Sequence, residues 1–200
     1  MEIHVSGAVE GLLDEVVVRR LISFAGAIAG PIHVKNGKSQ LLEKLAGYNQ
    51  AASIAPWIVV VDLDQDEECA PLFRHRWLPT KSDLMLFRIA VREVESWLIA
   101  DRERLAKFLS VPVSDVPVAC ESLGNPKQIM IDLASRSRRR DIRTDMVPRS
   151  GSGRHEGPAY TSRLIEFVIR GDLWRPHIAA TNCRSLDSCL ARLKGLVGSS

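Results

Sequence analysis

Short apolar runs alternate with amphipathic ones through the first half of the chain. The segments "EIHVSGAV", "PIHVKNG", "WIVVVDLD" and "DLMLFRIAV" have the length and apolar content of β-strands. Helical periodicity is found in residues 14–24, in "KSQLLEKLAGY" and in "REVESWLIADRERLAKFL". Strands that alternate with helices predict an α/β protein with a mostly parallel central sheet and helices on both faces. The continuous apolar run "WIVVV" is typical of a strand buried on both sides.

The second half of the chain has a different pattern. After "SVPVSDVPVAC" we predict helices in "NPKQIMIDLASRS", "AYTSRLIEFVI" and "SLDSCLARLKGLV", with the Gly/Ser loop "RSGSGRHEG" between the first two. The 200 residues are enough to bury a full core. We therefore predict an α/β domain over residues 1–110 and a helical C-terminal extension over residues 111–200.

Charge is distributed unevenly between these two parts. Residues 1–110 carry 13 basic and 15 acidic side chains, whereas residues 111–200 carry 14 basic and 9 acidic ones. A basic part beside an acidic one suits a metal-dependent enzyme that acts on a polyanion, and a basic half is also found on ordinary protein surfaces.

Two further features concern location and cysteine chemistry. No apolar run approaches the roughly 18 residues of a membrane span, and the start of the chain lacks the features of a signal peptide, so we expect a cytoplasmic protein that does not enter a membrane. The four cysteines form no C-x-x-C pair, which predicts buried thiols rather than disulfides or zinc ligands. They are Cys69, Cys120, Cys183 and Cys189.

Carboxylates are concentrated where the predicted strands end. Asp62 and Asp64 follow the run "WIVVV", Glu10 ends the first strand, and Glu93 and Glu95 follow the fourth. In an open parallel sheet the carboxyl ends of the strands share the edge at which ligands bind. Two carboxylates at alternate positions of an extended backbone point the same way and can bind one hard cation. The sequence thus predicts a site for one or two Mg²⁺ ions, which can activate water to attack a phosphodiester. The alternative is a solvated loop that caps the next helix.

Three other interpretations of motifs in this half fail on spacing. An EF-hand loop requires glycine and glutamate where the chain has Glu67 and Phe73. A haloacid-dehalogenase-like phosphatase has its D-x-D on the first strand, followed by Gly-Thr, whereas this D-x-D is on the third and is followed by Gln65. The segment "VKNGKS" ends like a Walker A loop, but Ile32 occupies the position of the first glycine, so we expect no nucleotide binding there.

Taken together, the acidic segments resemble a known family. "VEGLLDE", "VVVDLDQD" and "AVREVESWLIAD" look like the three acidic motifs of the Toprim fold, which topoisomerases, primases and OLD-type nucleases share. The wording "REVESWLIAD", with "NPK" and "GPAY" later in the chain, is similar to small Toprim-like bacterial proteins encoded beside SMC-like or ABC-type ATPases in defence operons. The resemblance implies a Toprim-like catalytic domain over about residues 1–105.

The resemblance also implies roles for the acidic residues. The first-motif glutamate of the family acts in acid–base or metal chemistry, and the D-x-D binds metal. OLD-type nucleases have a second acid about one helical turn after the first, a position that either Glu15 or Asp14 takes here. The implied catalytic residues are Glu10 and Glu95, and the implied metal ligands are Glu10, Asp62, Asp64, Glu95 and, as second choice in the third motif, Glu93.

Basic residues are the candidates for binding the substrate. The run "RSRRRDIR" and the Gly/Ser loop after it are rich in arginine, and clustered guanidinium groups suit phosphate contacts that position nucleic acid. The alternative is a solvated, ion-paired helix end. The predicted substrate-binding residues are Lys38, Arg138, Arg139, Arg140 and Arg154.

These observations lead to one functional hypothesis with alternatives. Together with the acidic strand ends, the resemblance implies a Toprim nuclease that depends on Mg²⁺ or Mn²⁺, cleaves DNA or RNA, and serves as the effector of an anti-phage defence system with an ABC/SMC-type ATPase partner. The first alternative is a non-catalytic Toprim-like interaction module that regulates the partner ATPase. The second is a phosphatase or phosphotransfer enzyme for a small substrate.

Overall fold

The computed structural model describes residues 2–63, 70–170 and 173–198. Contacts divide the chain into two compact units, Met1–Val94 with Arg184–Ser200, and Glu95–Cys183. The first unit contains β1 (His4–Val9), α1 (Leu12–Phe24), β2 (Ile28–Val34), α2 (Lys38–Glu43), α3 (Leu45–Ala51), β3 (Trp57–Asp62), α4 (Ala70–Trp77) and β4 (Met85–Ala90). The second contains α5 (Glu95–Ile99), α6 (Arg102–Leu109), α7 (Pro126–Ser135), α8 (Arg140–Met146), α9 (Tyr160–Ile169) and α10 (Pro176–Thr181), after which α11 (Arg184–Gly198) belongs to the first unit again.

The four strands form one parallel sheet in the order β2-β1-β3-β4. The strands β3 and β4 pair without interruption from Trp57 opposite Met85 to Asp62 opposite Ala90. At Gly7 the chain comes so close to β3 that an added Cβ would lie 2.9 Å from the main-chain oxygen of Ile58, so only glycine fits this position. The parallel pairing places the carboxyl ends of all four strands at one edge of the sheet.

Helices cover both faces of this sheet. Alternate residues of β3 and β4, such as Val59 and Phe87, pack with α2, α3 and α4 in one buried cluster. On the opposite face, Arg88 of β4 donates a hydrogen bond to Ser188 of α11. The predicted fold class is confirmed: the protein is α/β, with a parallel central sheet between helices and a further helical segment after the fourth strand.

One predicted helix is wrong in extent. The segment "REVESWLIADRERLAKFL" is divided into α5 and α6, because Asp101 has the non-helical ψ of 67°. The carboxylate of Asp101 accepts hydrogen bonds from the main-chain N–H and the guanidinium of Arg175. The hydrogen bonds between the buried carboxylate and Arg175 stabilise the interruption of the helix. The apolar periodicity of the segment does not predict this interruption, because it depends on a distant residue. The segment "KSQLLEKLAGY" is likewise divided, at Lys44, into α2 and α3.

The two compact units and the predicted domains are defined by different criteria. The predicted domains, 1–110 and 111–200, are defined by the order of strands and helices along the sequence and by the distribution of charge. The two units are defined by contacts between residues in the structure. The divisions differ in two places: the contacts assign residues 95–110 to the second unit and residues 184–198 to the first.

Two smaller expectations concern cysteines and membranes. Cys120, Cys183 and Cys189 are buried free thiols, as expected, while Cys69 is outside the described residues. Within the described ranges no helix combines the length and the apolar character needed to cross a bilayer.

Candidate functional site

The first candidate site is at the carboxyl edge of the sheet. Glu10 follows β1 directly, and Asp62 is the last residue of the neighbouring strand β3. The main-chain N–H of Asp62 donates a hydrogen bond to Oε1 of Glu10 at 2.9 Å, and both residues are partly buried. A charge-assisted bond of this kind orients the carboxylate. The fold therefore holds the carboxylate of Glu10 against the end of β3, beside Asp62.

The other acids near the first motif have local partners. Asp14 is buried, and its Oδ2 accepts the N–H of Gly11 at 3.0 Å, which caps the start of α1. Glu15 forms an ion pair of 2.8 Å with Arg19, one turn further along α1. Both side chains thus stabilise helix α1. Asp64, the second aspartate of the D-x-D, is outside the described residues.

The segment after β4 contains the third strand-end acid of this unit. Glu93 lies three residues beyond Ala90, the last residue of β4, and is partly buried. Between them Arg92 has a φ of 72°, which a residue with a side chain adopts only at a cost of about 1–3 kcal/mol. Such strain is concentrated at functional sites. The chain thus turns sharply at this edge before it enters the second unit.

The carboxylates at the carboxyl edge of the sheet are candidate ligands for a metal ion. Among residues 2–63, 70–170 and 173–198, no three His, Cys, Asp or Glu side chains are arranged to hold a metal. Mg²⁺ is usually bound through one or two carboxylates, with waters and substrate phosphates as its remaining ligands. The Glu10 carboxylate lies at the main chain of Asp62, and carboxylates are the ligands that these hard cations take from proteins, so the chemistry of the two residues fits Mg²⁺ or Mn²⁺.

Glu95 is part of the second unit, at the start of α5. Its side chain is 4% exposed, and Oε1 accepts a hydrogen bond of 3.2 Å from the hydroxyl of Tyr160. The ammonium of Lys127 lies 5.7 Å from the centre of the Tyr160 ring and forms an ion pair of 3.4 Å with Glu156. The side chain of Tyr160, in "GPAY", therefore contacts both Glu95 of "REVESW" and Lys127 of "NPK".

Neighbouring residues of the same segments support this arrangement. Asn125 caps α7, because its side chain accepts the N–H of Gln128 at 2.8 Å. At Gly157 an added Cβ would lie 2.3 Å from the main-chain oxygen of Asp145, so the close approach of two chain segments requires glycine. Periodicity did not single out Tyr160 as the partner of Glu95. The resemblance of all three segments to the same family is the feature of the sequence that could have indicated that they lie close together.

The bond between Tyr160 and Glu95 can be tested with the two tyrosines of the chain. We expect Tyr160→Phe to lower the free energy of unfolding by about 1–3 kcal/mol, because a buried carboxylate loses a donor. Tyr48→Phe is the control: the rings of Tyr48, His33 and Trp57 stack against one another, and the Tyr48 hydroxyl has no hydrogen bond within the described residues. Urea unfolding of both variants measures the difference, and equal stabilities would contradict the assigned bond.

The predicted substrate-binding arginines have different surroundings. Arg139 forms an ion pair with Asp141 at 2.5 Å, and its Nη1 donates to the carbonyl of Phe108. The hydrogen bond from Arg139 lowers the pKa of Asp141, as do the nearby charges of Arg139 and Arg163. Arg139 is thus engaged within the unit. Arg138 and Arg154 are exposed, and no ion pair of either is found among the described residues.

Arg140 belongs to a basic cleft of about 450 Å³ in the second unit. Arg143 and Arg149 line the same cleft, together with the hydroxyl residues Ser135 and Thr144. Within the described residues, no acidic partner is found for the guanidinium groups of Arg140 and Arg149. The cleft offers cationic and hydroxyl donors, the groups that bind phosphate.

Lys38 lies in the first unit, at the start of α2. Its ammonium is 5.8 Å from the centre of the Phe73 ring, within the range of a cation–π contact. Together with Arg76 and Trp77 it lines a cleft of about 360 Å³ between α2 and α4.

The fold and the first site define a class: a parallel α/β protein with acidic residues at the ends of adjacent strands. Comparisons of the chain with protein-family models, with curated proteins and with solved structures each found no match. The site itself and the resemblance of the acidic motifs are therefore the features that bear on function.

Proposed function

We propose that the protein is a Toprim-like nuclease that requires Mg²⁺ or Mn²⁺ and hydrolyses phosphodiester bonds in DNA or RNA. The observation that supports this most strongly is the hydrogen bond between the Glu10 carboxylate and the N–H of Asp62, which joins the acids of two adjacent strand ends. The carboxyl edge of a parallel sheet is where α/β proteins bind their ligands. The order of the three acidic motifs in the sequence agrees with this proposal.

The residues that would hold the metal are Asp62, Asp64 and Glu10. A divalent cation there supplies positive charge to the phosphate and makes bound water more acidic. The contribution of Glu10 is proton transfer, since a carboxylate oriented by the main chain of β3 can accept a proton from the attacking water. Asp62 follows four buried residues of β3, so the strand itself fixes the position of its side chain.

Incubation of the protein with supercoiled plasmid and with structured RNA tests the proposal. We expect cleavage of at least one of them in Mg²⁺ or Mn²⁺ and none in EDTA. A mock purification from cells without the gene excludes contaminating nucleases. Absence of cleavage in both metals, with and without any ATPase that the same operon encodes, would contradict the proposal.

We assign the phosphate contacts of the substrate to the basic cleft in the second unit. The variant Arg140→Ala/Arg149→Ala should bind nucleic acid more weakly, and the slope of log affinity against log salt should fall by roughly one unit for each lost contact with duplex DNA. Titrations at several salt concentrations in Ca²⁺, which suppresses cleavage, measure both quantities. Arg170→Ala removes an exposed arginine that is paired with Glu166, and serves as control. An unchanged slope in the double variant would show that the cleft does not contact the phosphates of the substrate.

A second candidate function is a non-catalytic module that regulates a partner ATPase. The burial of Glu95 and its bond to Tyr160 favour it, since a third-motif carboxylate engaged in this way has a structural use. In this case the chain should copurify with an ATPase expressed from the same operon and should cleave nothing. The nuclease proposal also includes an ATPase partner in a cytoplasmic defence system. Cleavage of nucleic acid is therefore the result that distinguishes the two proposals.

A further inference from the structure

A groove in the first unit runs beside β4. Its volume is about 720 Å³, within the range of roughly 300–1,000 Å³ that is usual for sites of small ligands. It is lined by residues 83–88, by Arg74 of α4 and by one side of α11, and we call it the β4 groove. The described acids at the carboxyl edge of the sheet are not among its lining residues. The groove is therefore a feature separate from the proposed nuclease site.

Basic side chains from three parts of the first unit line the β4 groove. Arg74 lies on α4 and Arg192 lies on α11. Lys81 precedes β4, and Arg88 is part of this strand. The one acid among the described lining residues is Asp83, which also precedes β4. Four cations thus share the groove with one carboxylate, which leaves an excess of three positive charges.

Arg88 is partly buried, whereas the other three cations are exposed. Its guanidinium donates hydrogen bonds to the hydroxyl of Ser188 and to the sulfur of Cys189. Burial raises the pKa of Cys189 to about 11, so this thiol stays protonated and supplies no negative charge. Within the described residues no carboxylate forms an ion pair with Arg88. A cation withdrawn from water without an opposite charge is unfavourable, so an anion in the groove would stabilise this arginine.

Lys81 also has neutral partners. Its ammonium donates hydrogen bonds to the main-chain carbonyls of Ser82 and Met85, each at 2.9 Å. An ammonium has three N–H donors, so one is left for a ligand. For Arg74 and Arg192, no ion pair is found in the part of the chain that the structure describes. All four cations can therefore contribute positive charge to a ligand in the groove.

The four cations are close enough to affect one another. Burial lowers the pKa of Lys81 and of Arg88, and the charges of Arg192 and Arg74 lower both pKa values further. Asp83 acts in the opposite direction on Lys81. An anionic ligand would relieve this repulsion, so the electrostatics of the groove are complementary to negative charge.

We propose that the β4 groove binds a small ligand with two linked phosphate groups, either inorganic pyrophosphate or the diphosphate of a nucleotide. Two phosphate groups carry about 3–4 negative charges, which balances the three excess positive charges of the groove. Three of the four cations are arginines, and a guanidinium can bind two phosphate oxygens through parallel hydrogen bonds. The charge and the donors of the groove therefore both suit a diphosphate.

Apolar side chains line the rest of the β4 groove. Leu84, Leu86, Phe87 and Leu196 are among them. The volume of about 720 Å³ is larger than two phosphate groups fill, so a nucleoside can be accommodated beside them. A nucleic acid spreads its phosphates along an extended surface and would leave the partly buried Arg88 without an anion. A small ligand that enters the groove can reach this arginine, which favours it over nucleic acid.

The test is a calorimetric titration of the full chain with ADP in EDTA, which removes any metal from the carboxyl edge of the sheet. We expect saturable binding, and Arg74→Ala/Arg192→Ala should weaken it at least about tenfold through the loss of two charge contacts. The control variant Lys44→Ala/Lys107→Ala removes the same charge from exposed positions outside the groove and should bind as the wild type does. Circular dichroism confirms that each variant is folded.

Titrations with pyrophosphate and with adenosine identify the source of the bound phosphates. Adenosine has no phosphate and should not bind. Tighter binding of ADP than of pyrophosphate assigns the site to a nucleotide, whereas equal or tighter binding of pyrophosphate assigns it to the inorganic ion. Both results support a diphosphate site.

Three results would overturn the proposal. The first is the absence of saturable binding by both ADP and pyrophosphate, and the second is equal binding of ADP by the groove and control variants. The third is a thymidine 20-mer that binds more tightly than either small ligand and loses affinity with the groove variant, since the groove would then contact nucleic acid. None of these measurements depends on cleavage activity, so the proposal stands or falls separately from the nuclease assignment.

Discussion

The variant Asp62→Asn is expected to lose nucleic-acid cleavage while its circular dichroism spectrum stays unchanged. Asparagine has almost the same shape as aspartate, and the main-chain N–H of residue 62 can still bond to Glu10. What is lost is the negative charge that a hard cation requires of its ligand. For Glu10→Gln we expect a fall in cleavage rate of about 10²–10⁴-fold, the usual contribution of a general acid or base.

The matched control is Glu43→Gln, which removes an exposed carboxylate from α2 in the same unit. Single-turnover cleavage of plasmid in Mg²⁺, at several metal concentrations, distinguishes two kinds of defect. A weakened metal site requires more Mg²⁺ for half-maximal rate, whereas a lost proton transfer lowers the rate at saturating metal. Cleavage by Asp62→Asn and Glu10→Gln at the wild-type rate would show that the carboxyl edge of the sheet is not the catalytic site.

Loss of Asp101 is expected to be the most damaging single change to the second unit. Its side chain is fully buried at 0% exposure, and it accepts three hydrogen bonds from Arg175, the shortest at 2.6 Å. The hydrogen bonds that Arg175 donates to Asp101 raise the pKa of Arg175, so the arginine stays charged. Removing this carboxylate leaves the partly buried guanidinium with Glu103 as its remaining acidic partner, and the loss of hydrogen bonds to a charged group costs about 1.5–3 kcal/mol. Asp101→Ala should therefore lower the free energy of unfolding by this amount.

Glu103 supplies the matched control for this prediction. It contacts the same guanidinium at 3.0 Å, but its side chain is 77% exposed. An exposed ion pair contributes about 0–1 kcal/mol, so Glu103→Ala should have little effect. Urea unfolding can be followed by the fluorescence of Trp97 and Trp174, which are buried in this unit. Similar losses in the two variants would mean that burial does not set the strength of the Asp101 bonds.

The sheet and its acidic edge can be predicted from the sequence because both depend on local patterns. The run "WIVVV" becomes the central part of β3, whose residues Ile58 to Val61 are buried. A strand covered on both faces needs apolar residues at successive positions, and this is visible without any knowledge of its neighbours. The first charged residue after such a run must lie at the end of the strand. The position of Asp62 beside Glu10 follows from the same rule, because adjacent parallel strands end at the same edge.

Pairings between distant residues could be decided only by the tertiary structure. Asp101 interrupts a helical pattern because it meets Arg175, 74 residues away. Glu95 is held by Tyr160, 65 residues away. Among neighbouring arginines of one run, Arg139 is engaged by Asp141 and Phe108, while Arg140 lines an open cleft. Periodicity reports which face of an element is buried. The partner of each polar side chain is set by the packing of the elements, since a buried charge must be placed where another part of the chain can compensate it.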